Sequence, residues 1–161
     1  MKYLLTATVF LACAVATAGA TSLKQPYMDD RSDVVALIRS HYNALVRKEF
    51  ARAWSYYGEE HPPGDFEAFE TEWQGIASVD LAFGEVFAEG AAGSVFYQVP
   101  AAVLITREDG SKEQSAGCVL ARLVNPQIQG VPFRPMRLVS DTLESASGPL
   151  EDALPASCGD G

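Results

Sequence analysis

The chain has 161 residues, room for one domain, and its composition, 48% hydrophobic and 20% charged, is that of a globular protein with a single core. Its formal net charge is −9, from 12 basic and 21 acidic residues. That balance argues against nucleic acid or an anionic membrane surface as partner, because both call for clustered Lys and Arg.

The N-terminus reads MKYLLTATVFLACAVATAGA: one lysine, an apolar run too short for a spanning helix with its own flanks, then Ala18-Gly19-Ala20 as a small-residue cleavage site. The pattern predicts a signal peptide over residues 1–20, a mature chain starting at Thr21, and a periplasmic or secreted protein with no membrane segment after cleavage. A competing reading makes Cys13 a lipid-anchored residue, since Phe10-Leu11-Ala12-Cys13 loosely resembles a lipobox, although the apolar run continues past Cys13. Cleavage leaves Cys118 and Cys158, an even count in an oxidising compartment, and a structural disulfide between them is expected. The alternative, a reactive or metal-binding thiol, has no CxxC and no neighbouring histidine to support it.

Residues 21–31, TSLKQPYMDDR, form a polar lead-in whose aspartates lie near the positive end of the first helix. The domain proper spans 32–143. Ser32 is the expected N-cap of a helix running to about Arg47, with Val34, Leu37, Ile38, Tyr42, Leu45 and Val46 on one stripe. A second, shorter helix carries Phe50, Ala53, Trp54 and Tyr57. After a loop through Pro62-Pro63, Asp65 caps a third, with Phe66, Phe69, Trp73 and Ile76 at helical spacing.

From Ala77 the period changes to two. Val79, Leu81 and Phe83 alternate with Ser78, Asp80 and Ala82, and Gly84 marks a bulge or bend. Glu89 to Gly93 reads as a turn. Ser94 to Thr106 is the longest strand, with Val95, Tyr97, Val99, Ala101, Val103 and Ile105 on one face and Pro100 at an edge or bulge. Asp109-Gly110 predicts a hairpin into a strand over Lys112 to Val124. A last strand spans Phe133 to Leu143. The tail, 144–161, is expected to be irregular, with Leu150 and Leu154 as its anchors. The class is therefore α+β: N-terminal helices packed in a bent, mainly four-stranded antiparallel sheet.

VVALIRSHYNALVRKEFARAWSYY resembles the opening of the nuclear transport factor 2-like superfamily, in which a tyrosine-bearing helix is followed by a charged link and a second helix rich in alanine and aromatics. GSVFYQVPAAVLITREDGSKEQSAGCVLARLV is similar to the two long strands of that fold, and MRLVSDTL to its closing strand. The resemblance covers roughly Asp33 to Leu143 and is to the small secreted bacterial type. It implies a cone, formed by sheet and helices around an apolar pocket, of the kind found in ketosteroid isomerases and polyketide cyclases. Fold membership leaves the function open.

His41 and His61 have no ligand-type spacing, so no metal is expected; His41 reads as a helix surface or boundary residue and His61 as a loop residue. No cofactor motif is present. In the isomerase and cyclase branches a carboxylate base and a tyrosine or second acid project into the cone. Residues of that type here are Asp80, Asp141 and Tyr97, but the alternation places both aspartates on the solvent face, and no catalytic residue is assigned. Tyr42, Trp54, Tyr57, Trp73 and Tyr97 remain. They are either core or the lining of a hollow cone, where phenol and indole groups would orient a ligand. The reading is of a non-catalytic domain binding a small apolar or amphipathic ligand in the cone, or a protein partner or second copy through the sheet face. The alternative is an isomerase-, dehydratase- or cyclase-like enzyme.

Overall fold

The structure is a computed structural model and describes residues 25–58 and 64–158. The leader over 1–20, Cys13, the Thr21 cleavage point and His61 lie outside those residues. Helix α1 spans Val34–Val46, α2 Phe50–Trp54 and α3 Phe66–Glu72. The cap of α1 is Asp33, whose Oδ1 accepts the Ala36 N–H at 2.8 Å, and not Ser32, whose own N–H is held by Asp30 Oδ1 at 2.9 Å. A carboxylate brings charge as well as an acceptor to the helix start, which favours Asp over Ser here. Asp65 caps α3 as expected, accepting from Ala68 N–H at 2.9 Å.

Helix α1 is buried on more than its apolar stripe, because the lead-in packs across its polar side. Asp30 N–H donates to Ser40 Oγ at 2.8 Å, and Asn43 Nδ2 donates to the Pro26 carbonyl at 2.9 Å. The lead-in is fixed further by Tyr56, fully buried, whose hydroxyl donates to Asp29 Oδ1 at 2.7 Å and accepts from Arg52 Nη1 at 3.1 Å. The expected surface position of His41 is overturned on another side of the helix, where α2 and the rings of Tyr56, Tyr57 and Phe69 enclose it. Its side chain is 2% exposed, with Nδ1 3.1 Å from the Ala53 carbonyl oxygen.

Six strands form one open antiparallel sheet: β1 Ile76–Phe83, β2 Phe87–Ala91, β3 Ser94–Arg107, β4 Lys112–Val124, β5 Met136–Asp141 and β6 Glu144–Ser145. The order is β1-β3-β4-β5, with β2 also on β3 and β6 on β4. The fold is thus α+β, with two strands more than the sequence pattern showed. β2 occupies much of the segment read as a turn; the turn itself is Ala92-Gly93, both at positive φ (47° and 76°), the geometry of a two-residue hairpin.

β1 and β2 share one flank of β3, meeting residues 101–107 and 94–98 respectively. Pro100 lies between the two. Gly84 N–H donates to the Pro100 carbonyl at 2.8 Å, so the donor that proline lacks points at the junction, where no ladder bond is needed. A Cβ on Gly84 would stand 2.9 Å from Pro100 Cβ, so the two residues that interrupt the sequence pattern meet.

The core lies between the helices and the inner sheet face. Leu37, Ile38 and Leu45 of α1 pack in one cluster with Val99, Ala101, Val103 and Ile105 of β3, Val119 and Ala121 of β4, and Met136 and Leu138 of β5. On the outer face Cys118, opposite Pro100, is bonded to Cys158 with the Cα atoms 5.7 Å apart. The tail is more regular than expected: it forms β6 on β4 and a 3-10 turn at Glu151–Ala153, leaving Leu150 and Leu154 half-buried.

Candidate functional site

Four of the five aromatic residues singled out in the sequence are brought together by the three helices. Phe69 of α3 is the hub, with ring centroids 5.1 Å from Trp54, 6.4 Å from Tyr57 and 6.2 Å from Trp73; Tyr42 reaches Trp73 at 6.2 Å. His41 stands edge-on to Tyr42 and Tyr57 at 5.2 and 5.3 Å. Tyr97 is apart from them on β3, half-buried opposite Ala121. Tyr42 and Tyr57 are only 7% and 6% exposed, so the cluster is closed and edge-to-face packed. Tyr42 also borders a small pocket of about 190 Å3, lined with Val79 and Leu81 of β1.

Burial raises the pKa of both phenols, and neither hydroxyl makes a hydrogen bond among the described residues. A carboxylate lies close enough to add to that rise, and it is Asp141. Strict alternation from Leu138 would turn Asp141 outward. The β4–β5 register, however, shifts between Leu120 and Ala121, an irregularity that reverses parity and sets Asp141 opposite the core residue Val119. The register therefore sets Asp141 on the inner parity of β5, not the outer one that alternation predicts, while the residue is exposed as expected, as is Asp80. Asp141 keeps exposed surface at the strand end, yet burial of its carboxyl holds the pKa above the ordinary range, against the Leu143 N–H that favours the charged form.

A raised carboxyl pKa destabilises the folded chain wherever the unfolded chain is ionised. The effect is absent at a pH well below 4 and grows as pH rises toward the folded pKa. Asp141→Asn should accordingly raise the melting temperature at pH 7 and leave it unchanged near pH 3. A lower melting temperature at pH 7 would instead mean that the carboxylate is a net stabiliser.

The second constellation was not singled out from the sequence. Arg122 of β4 and Arg137 of β5 are direct cross-strand partners, and with Arg134 they line a pocket of about 430 Å3. The apolar wall of the pocket is Val124, Val131 and Pro132. Arg122 is oriented from below: its Nε donates to the buried Ser94 Oγ at 2.9 Å, and its guanidinium lies 5.4 Å from the centre of the Phe96 ring. Arg137 runs over Gly58, where an added Cβ would fall 2.3 Å from Arg137 Cδ. Its Nε is buried without a hydrogen-bond partner.

Elsewhere in this acidic chain four arginines hold carboxylates, Arg31 with Asp29, Arg47 and Arg52 with Glu49, and Arg107 with Glu113, while Arg39 lies over the Phe83 ring. The three pocket arginines hold none among the described residues. Like charges directly opposite in a ladder cost roughly 0.5 kcal/mol, and a buried unpaired guanidinium nitrogen adds to that cost. Guanidinium forks side by side match the geometry of an oxyanion.

The segment after β4 builds the other side of the pocket and is internally braced. Asn125 Oδ1 caps the 3-10 turn Pro126–Ile128 by accepting from Gln127 N–H at 3.0 Å. Gln129 then ties the segment's two ends, donating to the Val124 carbonyl at 2.9 Å and accepting from Arg134 N–H at 3.0 Å.

Among the described residues no three His, Cys, Asp or Glu side chains converge as metal ligands. A scan against protein-family models and a search of curated proteins found no match to this chain.

Proposed function

We propose that this chain is an exported, non-catalytic binding domain whose ligand is a small amphipathic molecule, held by its acidic group in the arginine pocket. The observation that carries the reading is the Arg122–Arg137 pair, two guanidinium groups on facing strands with no carboxylate paired to either among the described residues. Guanidinium forks match carboxylate and phosphate oxygens, and the apolar wall beside them suits a short hydrocarbon. Export is supported by the leader pattern and by the Cys118–Cys158 bond. The nuclear transport factor 2-like resemblance stays part of the proposal, supported by three helices preceding an antiparallel sheet among the described residues. In that family the ligand enters the cone; here the closed aromatic cluster favours the outer pocket.

The second reading, an enzyme acting at the inner face, is favoured by one observation: a carboxyl of raised pKa beside two buried phenols. Titration calorimetry separates the two. Octyl phosphate and octanoate should bind saturably and octanol should not. Arg137→Gln should weaken octyl phosphate binding at least tenfold, about 1.4 kcal/mol, without lowering the melting temperature, since it relieves a like-charge contact. Equal binding of octanol, or an affinity lost with Asp141→Asn and kept with Arg137→Gln, would move the site to the inner face.

A further inference from the structure

The segment that walls the arginine pocket has a second property. Ile128 is 63% exposed, Val131 101% and Phe133 62%, so three large apolar side chains stand in water within one short loop. Val131 is as open as in an extended chain; nothing packs against it. This exposure is not fraying, because Gln129 and Asn125 brace the backbone on both sides of it. Immediately beside the tips lie Arg122, Arg134 and Arg137, without carboxylate partners among the described residues.

We infer that the loop over 128–133 docks on an anionic phospholipid bilayer: Ile128, Val131 and Phe133 enter the interface while the arginine pocket takes a lipid headgroup phosphate. The inference rests on the oxyanion reading of that pocket and names the source of the oxyanion. Apolar tips rimmed by cations are the two contributions that interfacial binding combines, apolar area and attraction to anionic lipid. The net charge of −9 is spread over the whole chain, and charges more than about 8 Å from the bilayer are largely screened at physiological ionic strength. What counts is the local face. Along the row of outward side chains that crosses the sheet from Arg137 through Arg122 and Phe96, the first carboxylate is Glu89 on β2, two strands from Arg122. The whole-chain charge argument against a membrane therefore does not reach this face. Separate tips, one of them without any neighbour, also suit a fluid interface better than a shape-matched protein groove.

The test reads the loop itself, using the full chain carrying Phe133→Trp and vesicles with brominated acyl chains, which quench indole fluorescence only inside the bilayer. The wild-type chain supplies the background from Trp54 and Trp73. Quenching should appear with vesicles containing phosphatidylglycerol and be absent with phosphatidylcholine alone. Adding Arg137→Gln should weaken it by roughly fivefold, one arginine's share of the attraction to an anionic surface. Adding Ile128→Asp, at a tip outside the pocket lining, should abolish it while octyl phosphate still binds as before. If no vesicle quenches but octyl phosphate binds, the membrane inference fails, the pocket reading stands, and the tips face a protein. Loss of octyl phosphate binding in the unsubstituted chain overturns both. Equal quenching on the two vesicle types removes the headgroup from the inference and overturns it as stated.

Discussion

Removing the Cys118–Cys158 bond should lower the unfolding free energy by about 4 kcal/mol, the chain-entropy value for a bridge spanning a sequence separation of 40. The bond joins mid-β4 to the end of the tail, so it restricts the unfolded chain across β5, β6 and the 3-10 turn together. In the folded chain it holds the tail against the outer face, where Ala156 and Ser157 line one pocket with Pro100 and Val86. A single-domain protein has a total stability of only about 5–15 kcal/mol, so this one bond accounts for a large share. Urea unfolding of the native chain and of the Cys118→Ser/Cys158→Ser chain measures the difference. Proteolysis should cut the tail only in the substituted chain. Equal midpoints, or two thiols open to alkylation without reduction, would contradict the staple.

Acidification from pH 6.5 to pH 4 should cost about 3 kcal/mol through His41 alone. Burial is the main reason its pKa drops to about 4; the Ala53 carbonyl opposes the drop and Arg52 adds to it. The unfolded chain takes up a proton near pH 6.5 that the folded chain refuses until about 4. The stability present above pH 6.5 is therefore lost as pH falls, and the loss is complete below the folded value. Tyr42, Tyr56, Tyr57 and Phe69 surround the ring, so no carboxylate on the packed elements offsets the charge directly. His41→Asn keeps an N–H donor for the Ala53 carbonyl and does not titrate. The slope of stability against pH in this window should be shallower in that variant by about one proton; an unchanged slope would place the acid sensitivity in other groups.

The features legible in the sequence were those set by local chemistry. Helical spacing located the apolar side of α1, Asp65 announced its own capping role, Asp109-Gly110 gave the β3–β4 hairpin, and the expected pairing of Cys118 with Cys158 gave the disulfide. What escaped was decided by neighbours distant in sequence. His41 looked like a boundary residue because the groups that enclose it, the Ala53 carbonyl and the rings of Tyr56, Tyr57 and Phe69, come from later segments that the spacing of α1 does not reveal. β2 has no alternation to read, since all five of its residues are exposed. Asp141 was set on the inner parity of β5 by an irregular register that no residue type marks. The arginine pocket was hidden for the same reason: alternation sends Arg122 and Arg137 outward on separate strands, and only the β4–β5 register sets them opposite each other. The one available signal was Arg134 and Arg137 flanking a loop rich in large apolar residues, a combination that solvation alone does not explain.

The most direct measurement is the NMR spectrum of the arginine Nε–Hε groups during titration with octyl phosphate. Arg137 Nε, buried and unpartnered, should shift saturably together with Arg122 Nε, while Arg107, already held by Glu113, stays in place. Stationary Arg122 and Arg137 signals, with ring signals of Tyr42 and Tyr57 moving instead, would contradict the arginine pocket as the binding site.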